Sequence, residues 1–409
     1  MFKIINGDSL LELDKLEENS IDAIVTDPPY ELGFMNKGWD STGIAYSVDF
    51  WKKCLRVLKP GGHLVSFSSS KTFYRMICAI EDAGFEIRDN LFWFYSQSMP
   101  KGQNIGKMLD AKIKYGKSNS VSLRELELSE GVGSYNKVAP NNGMMGEKKV
   151  FEKKYYQSEN IWSGWNTQLK PAYEPITLAR KPLDGTVSEN VFKWRVGGLN
   201  VNECKVGNEI ISTPKAPKVT FAEGELGRGS TREENGSIDY DEHLGRYPSN
   251  IISDGCLGDI TRFYYCAKAS SKDREEGLDG FEEKIGGGMN GTHEQSLLTG
   301  SGNIRNNLRK NFHPTVKPTD LMQYLVRLIS PKGATILDPF MGSGSTGKAV
   351  AFENRERDAK YSFIGIELDE EYCKIAHARI DWANKYKEEI ESEVPVDRPK
   401  DLIKTNSLW

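Results

Sequence analysis

The sequence predicts an α/β protein whose doubly wound sheet is built from both ends of the chain around a central irregular insertion. Two observations predict this fold. Strand-like and helix-like segments alternate over the first hundred residues and again after residue 318, which is typical of a parallel sheet with helices on both faces. Residues 106–166 and 183–310 lack this periodicity and are rich in Gly, Asn, Ser and charged side chains. Neither end supplies enough strands for a sheet of usual size, so we expect the two ends to share one sheet.

Each element at the two ends follows from an apolar run or an amphipathic repeat that stops at a turn residue. The run at 21–25, for example, ends where Pro28 and Pro29 cannot continue a ladder of hydrogen bonds. The helix near 47–58 is expected to end at Lys59-Pro60-Gly61-Gly62. The sequence predicts strands at 2–5, 21–25, 63–68, 87–95, 174–181, 334–337 and 361–366, with a further candidate at 262–266, and helices at 10–16, 47–58, 71–83, 319–329, 347–352 and 370–387.

The composition of the 409 residues excludes several classes of protein. Hydrophobic residues make up 38% and charged residues 27%, which provides material for a core and is not typical of a disordered chain. No apolar run approaches the ~18 residues that span a bilayer, and the first residues do not resemble a signal peptide, so we expect no membrane partner. The six cysteines never form a C-x-x-C pair. This pattern favours a reduced, cytoplasmic setting and predicts no metal site.

A glycine-rich turn (residues 338–344, Asp-Pro-Phe-Met-Gly-Ser-Gly) follows the predicted strand at 334–337. Its glycines allow positive φ and a close approach of the backbone to a ligand, and the next helix begins with unpaired N–H groups. About 20 residues further on, the next strand ends at Glu367, an acid suited to bonding ribose hydroxyls. No Lys-Ser/Thr pair follows the glycines as a P-loop requires. The turn therefore indicates a nucleoside-containing ligand rather than a bare phosphate.

A second motif, the tetrapeptide Asp27-Pro28-Pro29-Tyr30, follows a buried-type strand. The Asp27 carboxylate and the Pro28 carbonyl can both accept hydrogen bonds from an exocyclic amine, and Tyr30 offers a face for stacking a planar base. Taken alone, the same four residues could also form an ordinary Pro-Pro turn in which the aspartate caps a helix. The tetrapeptide gains weight from the glycine-rich turn that accompanies it.

In this order, the two motifs resemble the β-class of amino-DNA methyltransferases, which use S-adenosylmethionine to methylate adenine N6 or cytosine N4. Residues 6–9, 56–62 and 313–318 match further motifs, and residues 31–40 resemble a subgroup common among phage and prophage enzymes. The resemblance implies a Rossmann-like methyltransferase sheet formed by 1–105, 167–182 and 311–395. It also implies a target-recognition region at 183–310. The polar residues 396–409 are expected to form a tail. The segment 106–166 is an elaboration, for which a clamp on DNA and a dimer contact both stay open.

The resemblance also assigns roles to individual residues. It implies that the tetrapeptide performs catalysis, that Asp8 holds the adenine amine of the cofactor and Glu367 its ribose, and that residues 313–317 lie over its methionine end. Asp338 is expected near the amino-acid end of the cofactor, with the glycine-rich turn around it. The implied catalytic residues are Asp27, Pro28, Pro29 and Tyr30, and the implied cofactor-binding residues are Asp8, His313, Lys317, Asp338, Phe340, Gly342, Ser343, Gly344 and Glu367.

The activity implied is site-specific methylation of adenine N6 in double-stranded DNA, with S-adenosylmethionine as cofactor and the target base flipped out of the helix. Asp27 favours adenine, because cytosine-N4 relatives more often carry serine there. Cytosine-N4 methylation stays open, as do methylation of RNA or protein and a catalytically idle DNA-binding role. Intact Asp27, Tyr30, Gly342 and Glu367 argue against the idle role. A homodimer and a cognate restriction enzyme also stay open as partners.

The charge distribution bears on where DNA would bind. The formal net charge of −4 by itself argues against a phosphate-rich partner. However, residues 101–200 carry 16 basic against 10 acidic side chains, and no acid occurs among residues 300–318. These stretches follow the tetrapeptide or precede the glycine-rich turn, which favours DNA contact. The candidate DNA-binding residues are Lys101, Arg305, Arg309 and Lys310, with Phe34 and Trp39 as candidate walls of the base pocket that could equally lie in the core.

Overall fold

The computed structural model describes residues 1–33, 38–96, 102–119, 122–123, 125–126, 157–214, 240–256, 264–285 and 308–385. The described residues form two compact units. The larger unit consists of the described residues within Met1–Phe94, Glu174–Phe281 and Thr315–Trp409, and the smaller unit of those within Tyr95–Tyr173 and Glu282–Pro314. Within the described ranges, no helix is both long enough and apolar enough to cross a membrane.

The larger unit is built around one mixed sheet. The strands of the described residues are β1 (Phe2–Asn6), β2 (Ile21–Thr26), β3 (Leu58–Phe67), β4 (Glu86–Phe94), β5 (Tyr173–Arg180), β6 (Val206–Pro214), β7 (Tyr240–Arg246), β8 (Ile251–Ser253), β9 (Tyr264–Tyr265), β10 (Lys284–Ile285), β11 (Leu308–Arg309), β12 (Thr335–Asp338) and β13 (Ser362–Glu367). The sheet order is β1-β13-β12-β2-β3-β5-β4-β8-β9. β12, from the C-terminal end, pairs in parallel with β2, from the N-terminal end, so the prediction that both ends share one sheet is confirmed.

Helices cover both faces of this sheet. Those of the described residues are α1 (Ser9–Asp14), α2 (Val48–Val57), α3 (Phe73–Asp82), α4 (Ile105–Tyr115), α5 (Val187–Trp194), α6 (Ser271–Glu275), α7 (Thr319–Ile329), α8 (Ser345–Arg357) and α9 (Glu370–Lys385). α1, α2 and α3 pack over a buried cluster that includes Trp51, Ile24 and Leu337. Because side chains alternate along a strand, Ala23 and Val25 point to the opposite face, and both are fully buried. The helix α8 contacts both α7 and α9, and each of the three contacts strands of the sheet.

The structure corrects two expectations about the sheet. It is not wholly parallel, because β5 runs antiparallel to β3, with Val65 opposite Leu178. A buried apolar strand has the same pattern in either direction, so the sequence could not show this. The second correction concerns residues 183–310, which were expected to be irregular. This segment includes α5 and contributes β8 to the main sheet, where β8 pairs in parallel with β4. β9 also joins this sheet, and it lies within the candidate strand that was expected at 262–266.

The smaller unit contains α4 and the antiparallel pair β10–β11. α4 is capped by Asn104, whose side chain accepts the Lys107 N–H at 3.0 Å. The Asn160 amide donates to Asp110 in the same helix at 2.9 Å, and the Ser158 hydroxyl donates to that carboxylate at 2.5 Å. Part of the 106–166 segment is therefore a helix with its own polar contacts, where no regular structure was expected.

One buried carboxylate joins the two ends of the chain. Asp22 in β2 is 6% exposed. Its side chain accepts the Thr335 N–H of β12 at 2.8 Å and pairs with the Lys59 ammonium of β3 at 2.6 Å. The same residue thus supports the β2–β12 pairing and the neighbouring strand.

We expect Asp22→Ala to lower the free energy of unfolding by about 2–4 kcal/mol, because a buried N–H and an ammonium lose their partner. Urea unfolding followed by circular dichroism measures the change. Asp14→Ala is the matched control. The Asp14 side chain is 54% exposed and forms an ion pair with Lys53, so its loss should lower the free energy of unfolding by only about 0–1 kcal/mol. Equal losses in the two variants would contradict this role for Asp22.

Candidate active site

The predicted site residues of the larger unit follow the carboxyl ends of adjacent strands. β1, β13, β12 and β2 lie side by side and run parallel. Asp8 comes shortly after β1, and Glu367 ends β13. The glycine-rich turn starts at the last residue of β12, and Asp27 follows β2 directly. Parallel strands that end together form the crevice where doubly wound sheets bind ligands, so this edge is the candidate site.

Asp338 anchors the glycine-rich turn. Its carboxylate accepts the Thr26 hydroxyl at 2.8 Å, the Phe340 N–H at 3.1 Å and the Thr346 hydroxyl at 2.5 Å. The side chain is 2% exposed, and burial raises the pKa of Asp338 to about 7 against the lowering effect of these hydrogen bonds. Both oxygens are engaged inside the protein. In this structure Asp338 therefore shapes the turn and ties it to the residue that precedes the tetrapeptide.

The glycines of the turn are required by conformation and by packing. Gly342 has φ +54° and Gly344 has φ +80°, a region that L side chains rarely adopt. A Cβ on Gly344 would also lie 2.8 Å from the Cβ of Ala376 in α9. The buried Arg379 of α9 donates to the Ser343 carbonyl at 2.6 Å. The glycine-rich turn is therefore packed against α9 and hydrogen-bonded to it.

Glu367 and Asp8 are the carboxylates of this edge that suit a nucleoside. Glu367 accepts the Gly342 N–H and the Asp369 N–H, each at 2.8 Å, one on each oxygen. Burial raises the pKa of Glu367, and those N–H groups oppose the shift. Asp8 is exposed and caps α1 by accepting the Leu10 N–H at 2.8 Å. A carboxylate oxygen has two lone pairs, so both side chains can still accept hydroxyl or amine protons from a cofactor.

Further contacts hold the tetrapeptide in place. The Tyr30 carbonyl accepts the Thr72 hydroxyl at 2.9 Å, and Pro28 is buried. The chain then turns through Glu31, which has φ +56°. The Glu31 N–H donates at 3.0 Å to Asp40, which is 2% exposed. These contacts fix the direction in which the chain leaves the tetrapeptide.

A buried charge cluster surrounds Asp27. The Lys317 ammonium hydrogen-bonds Asp27 Oδ2 and lies 3.6 Å from Glu174 Oε2, while the Tyr30 hydroxyl donates to that Glu174 oxygen at 3.0 Å. Lys317 Nζ also lies over the rings of Tyr30 and Phe67, 5.3 and 4.8 Å from their centroids. By contrast, Asp27 Oδ1 is buried and accepts no hydrogen bond within the described part of the chain. An amine that enters this site would find an acceptor there.

The cluster sets the protonation states of its members. Burial raises the pKa of Asp27, Lys317 lowers it and Glu174 raises it, with a raised pKa as the net result. Burial acts to lower the pKa of Lys317, but the two carboxylates outweigh it and raise that pKa, so the ammonium stays charged. Burial and the same carboxylates raise the pKa of Tyr30 well above its usual value. The Tyr30 hydroxyl therefore stays a hydrogen-bond donor.

Glu174 was not among the site residues predicted from the sequence. It reaches this edge because β5 runs antiparallel to β3, so the start of β5 lies beside the end of β3, where the Ser68 N–H donates to the Pro175 carbonyl at 3.0 Å. A parallel strand would carry its first residues to the opposite edge. An acid at the head of an apolar strand is the signal that could have identified Glu174.

The remaining predicted residues are outside this cluster or outside the described residues. His313, Arg309 and Lys310 belong to the smaller unit, where the His313 N–H donates to the Asn311 side chain at 3.2 Å. Arg309 pairs with Lys284 in the β10–β11 ladder. Phe340 packs against Phe50, with ring centroids 5.0 Å apart. Phe34, Lys101, Arg305 and the Trp39 side chain lie outside the described residues.

Known proteins resemble this chain over most or part of its length. The model of a DNA methylase family, the N6/N4 methylases, matches residues 21–378. The Type II methyltransferase M.HindIII of Haemophilus influenzae is 20% identical over 92% of this chain and 94% of its own length. The DNA adenine methyltransferase YhdJ of Escherichia coli is 35% identical over 24% of this chain and 31% of its own length. Among solved structures, the cytosine-N4-specific PvuII DNA methyltransferase covers 98% of this chain and 90% of its own, at 13% identity and a TM-score of 0.42.

The family match spans both motifs and all the residues between them, so the resemblance drawn from the sequence is confirmed. The methyl donor of this family is S-adenosylmethionine. The chain belongs to the N6/N4 family of S-adenosylmethionine-dependent DNA methyltransferases.

Proposed function

We propose that this protein transfers the methyl group of S-adenosylmethionine to the exocyclic N6 of adenine in DNA, and that Asp27, Pro28, Pro29 and Tyr30 form its catalytic centre. The observation that carries the proposal is Asp27 Oδ1, a buried acceptor that has no donor among the described residues. A buried polar atom without a partner is costly. An amine N–H from the target base would satisfy it.

Asp27 and the Pro28 carbonyl would activate the target amine. The lone pair of that amine is conjugated with the ring and is a poor nucleophile. When both N–H groups donate to Asp27 Oδ1 and the Pro28 carbonyl, electron density moves toward nitrogen. Positive charge then develops on nitrogen in the transition state, so both acceptors bind that state more tightly than the ground state. Because Lys317 holds Oδ2, the carboxylate does not have to reorient during the reaction.

Tyr30 would receive the extruded base. A base inside a duplex cannot reach a buried carboxylate, and flipping it out costs a few kcal/mol. Stacking on an aromatic ring returns about 1–3 kcal/mol. Since the Lys317 ammonium lies over one face of the Tyr30 ring, the base would stack on the other.

The cofactor would be held at the ends of β1, β12 and β13. We assign its ribose to Glu367 and its adenine amine to Asp8, while the glycine-rich turn from Phe340 to Gly344 approaches its amino-acid end. When bound, the cofactor supplies an electrophilic methyl group on a sulfonium centre. The two carboxylates suit its hydroxyls and amine, and the backbone N–H groups at the start of α8 suit its carboxylate.

Basic residues of the smaller unit are candidates for contact with DNA. Arg309 and Lys310 are the candidates among the described residues, with residues 183–310 as the target-recognition region. A cognate restriction enzyme and a homodimer stay predictions from the sequence.

The test is modified-base sequencing of DNA from cells that express the protein or its Asp27→Asn variant. We expect N6-methyladenine at one recognition sequence with the wild type and none with Asp27→Asn, because an amide presents fewer acceptor positions and lacks the charge. S-Adenosylmethionine binding, measured by calorimetry, should stay within about threefold, since Asp27 is assigned to the target amine and not to the cofactor. N4-methylcytosine instead would overturn the choice of base, and undiminished methylation by Asp27→Asn would overturn the catalytic assignment.

We expect Gly344→Ala to weaken S-adenosylmethionine binding by about tenfold or more, because the added Cβ meets Ala376 and must shift the glycine-rich turn. Isothermal titration calorimetry measures the affinity. Gly333→Ala is the matched control: its φ is +82°, but nothing lies within 4 Å of the added Cβ. This variant introduces a similar backbone strain outside the glycine-rich turn. It should therefore lower the stability of the protein without weakening S-adenosylmethionine binding. Equal affinity in the two variants would show that the turn does not hold the cofactor.

The pH dependence of methyl transfer should report the ionisation of Asp27. Its carboxyl must be ionised to accept the amine hydrogen bond at full strength, and its pKa is raised, so the single-turnover rate should fall toward acid pH with a midpoint above the usual carboxyl range. Lys317→Gln removes the ammonium that lowers this pKa. The midpoint should then move to higher pH, and an unchanged or lower midpoint would contradict the assignment.

A further inference from the structure

A single oxygen of Glu174 contacts both Tyr30, the last residue of the tetrapeptide, and Lys317, which hydrogen-bonds Asp27. Glu174 Oε2 accepts the Tyr30 hydroxyl at 3.0 Å and lies 3.6 Å from the Lys317 ammonium. The Glu174 side chain is 19% exposed and that of Lys317 is 7% exposed, so these contacts are largely shielded from water. Shielding strengthens electrostatic contacts and makes their loss more costly.

The contacts form a closed ring. From Tyr30 the ring passes to Glu174, from Glu174 to Lys317, and from Lys317 to Asp27 Oδ2, which is three residues before Tyr30 in the chain. A closed ring fixes the aromatic side chain and the carboxylate relative to each other, because neither can turn without breaking a shielded contact. The second oxygen of Asp27, Oδ1, is thereby fixed as well.

We propose that Glu174 is a positioning residue for methyl transfer, which orients Asp27 through Lys317 and the Tyr30 ring through its hydroxyl. The inference rests on the proposed function, because it assumes that Asp27 and Tyr30 hold the target base. In this assignment Glu174 acts through Lys317 and Tyr30 and not through a contact of its own with the base or the cofactor. Its effect is on the geometry in which the amine meets the methyl group, and a displacement of about 1 Å in such a geometry can cost about 100-fold in rate.

Three substitutions separate the two contacts of Glu174, one with the Tyr30 hydroxyl and one with the Lys317 ammonium. Glu174→Ala removes both contacts. Glu174→Gln keeps an oxygen that can accept the Tyr30 hydroxyl but loses the charge that attracts Lys317. Tyr30→Phe keeps the ring and removes the hydroxyl, which contacts Glu174 and also lowers the pKa of Asp27. Glu86→Gln is the matched control. Glu86 pairs at 2.6 Å with Arg180, which ends β5, whereas Glu174 lies near the start of that strand.

The experiment measures single-turnover methylation of a duplex that carries the sequence identified by modified-base sequencing, at saturating S-adenosylmethionine and DNA. We expect Glu174→Ala to lower the rate by about 10- to 100-fold, with the cofactor affinity within about threefold. Glu174→Gln should retain part of the lost rate, and Glu86→Gln should match the wild type. Tyr30→Phe and Glu174→Ala should not be additive in the double variant, because they share one hydrogen bond.

The outcomes distinguish this inference from the proposed function. If the wild type methylates adenine and Asp27→Asn does not, the function stands. The role of Glu174 is then overturned by a wild-type rate in Glu174→Ala, by an equal loss in Glu86→Gln, or by additive effects with Tyr30→Phe. If Asp27→Asn methylates as the wild type does, the proposed catalytic centre itself is wrong. Thermal unfolding checks that each variant folds, and if Glu174→Ala does not, Glu174→Gln carries the comparison.

Discussion

The pairing of β2 with β12 is the contact on which the site depends. The two strands come from opposite ends of the chain, and their register, with Ile24 opposite Leu337, brings their carboxyl ends together. At that end the Thr26 hydroxyl donates to Asp338, 312 positions away in the sequence. The residue before the tetrapeptide is thus bonded to the first residue of the glycine-rich turn. The site for the reacting base and the site for the methyl donor are built on one hydrogen-bonded edge.

The geometry of the site also depends on the buried Lys317 ammonium, which lies between the carboxylates of Asp27 and Glu174. Burying three ionisable groups is costly unless each is well paired, and Lys317 pairs with Asp27 while it approaches Glu174. The start of α7, directly after Lys317 and Pro318, is held in turn by Asp273, which accepts the Thr319 N–H at 3.0 Å and the Thr319 hydroxyl at 2.5 Å. When both carboxylates are ionised the cluster is negative by one charge. That sign suits an amine that becomes positive as it reacts.

Much of this architecture could be predicted from the sequence. The helix Thr319–Ile329 was predicted to the residue, because its apolar positions repeat at helical spacing and prolines precede and follow it. The shared sheet and the family were also predicted, because the two motifs have characteristic residues in a characteristic order. The direction of β5 was not, since a buried strand has no directional pattern. Glu174 was missed because the strand direction decides at which edge of the sheet this acid lies.

The predicted helix near 47–58 shows a smaller limit of local signals. Its stop signal, residues 59–62, lies inside β3, which starts at Leu58 directly after α2 ends at Val57. Lys317 makes a contact that no local signal could predict. Its ammonium hydrogen-bonds Asp27, 290 positions away in the chain, and the cofactor contact that the family motif implies stays a prediction. Contacts between residues so distant in the chain depend on the whole sheet and leave no local pattern.

The most direct test of the account is a crystal structure with a duplex containing the recognition sequence and an unreactive analogue of S-adenosylmethionine. We expect a flipped adenine stacked on Tyr30, with its N6 donating to Asp27 Oδ1 and the Pro28 carbonyl while Lys317 stays on Oδ2. An N6 amine bound by other residues, or an Asp27 carboxylate turned away from the base, would contradict it.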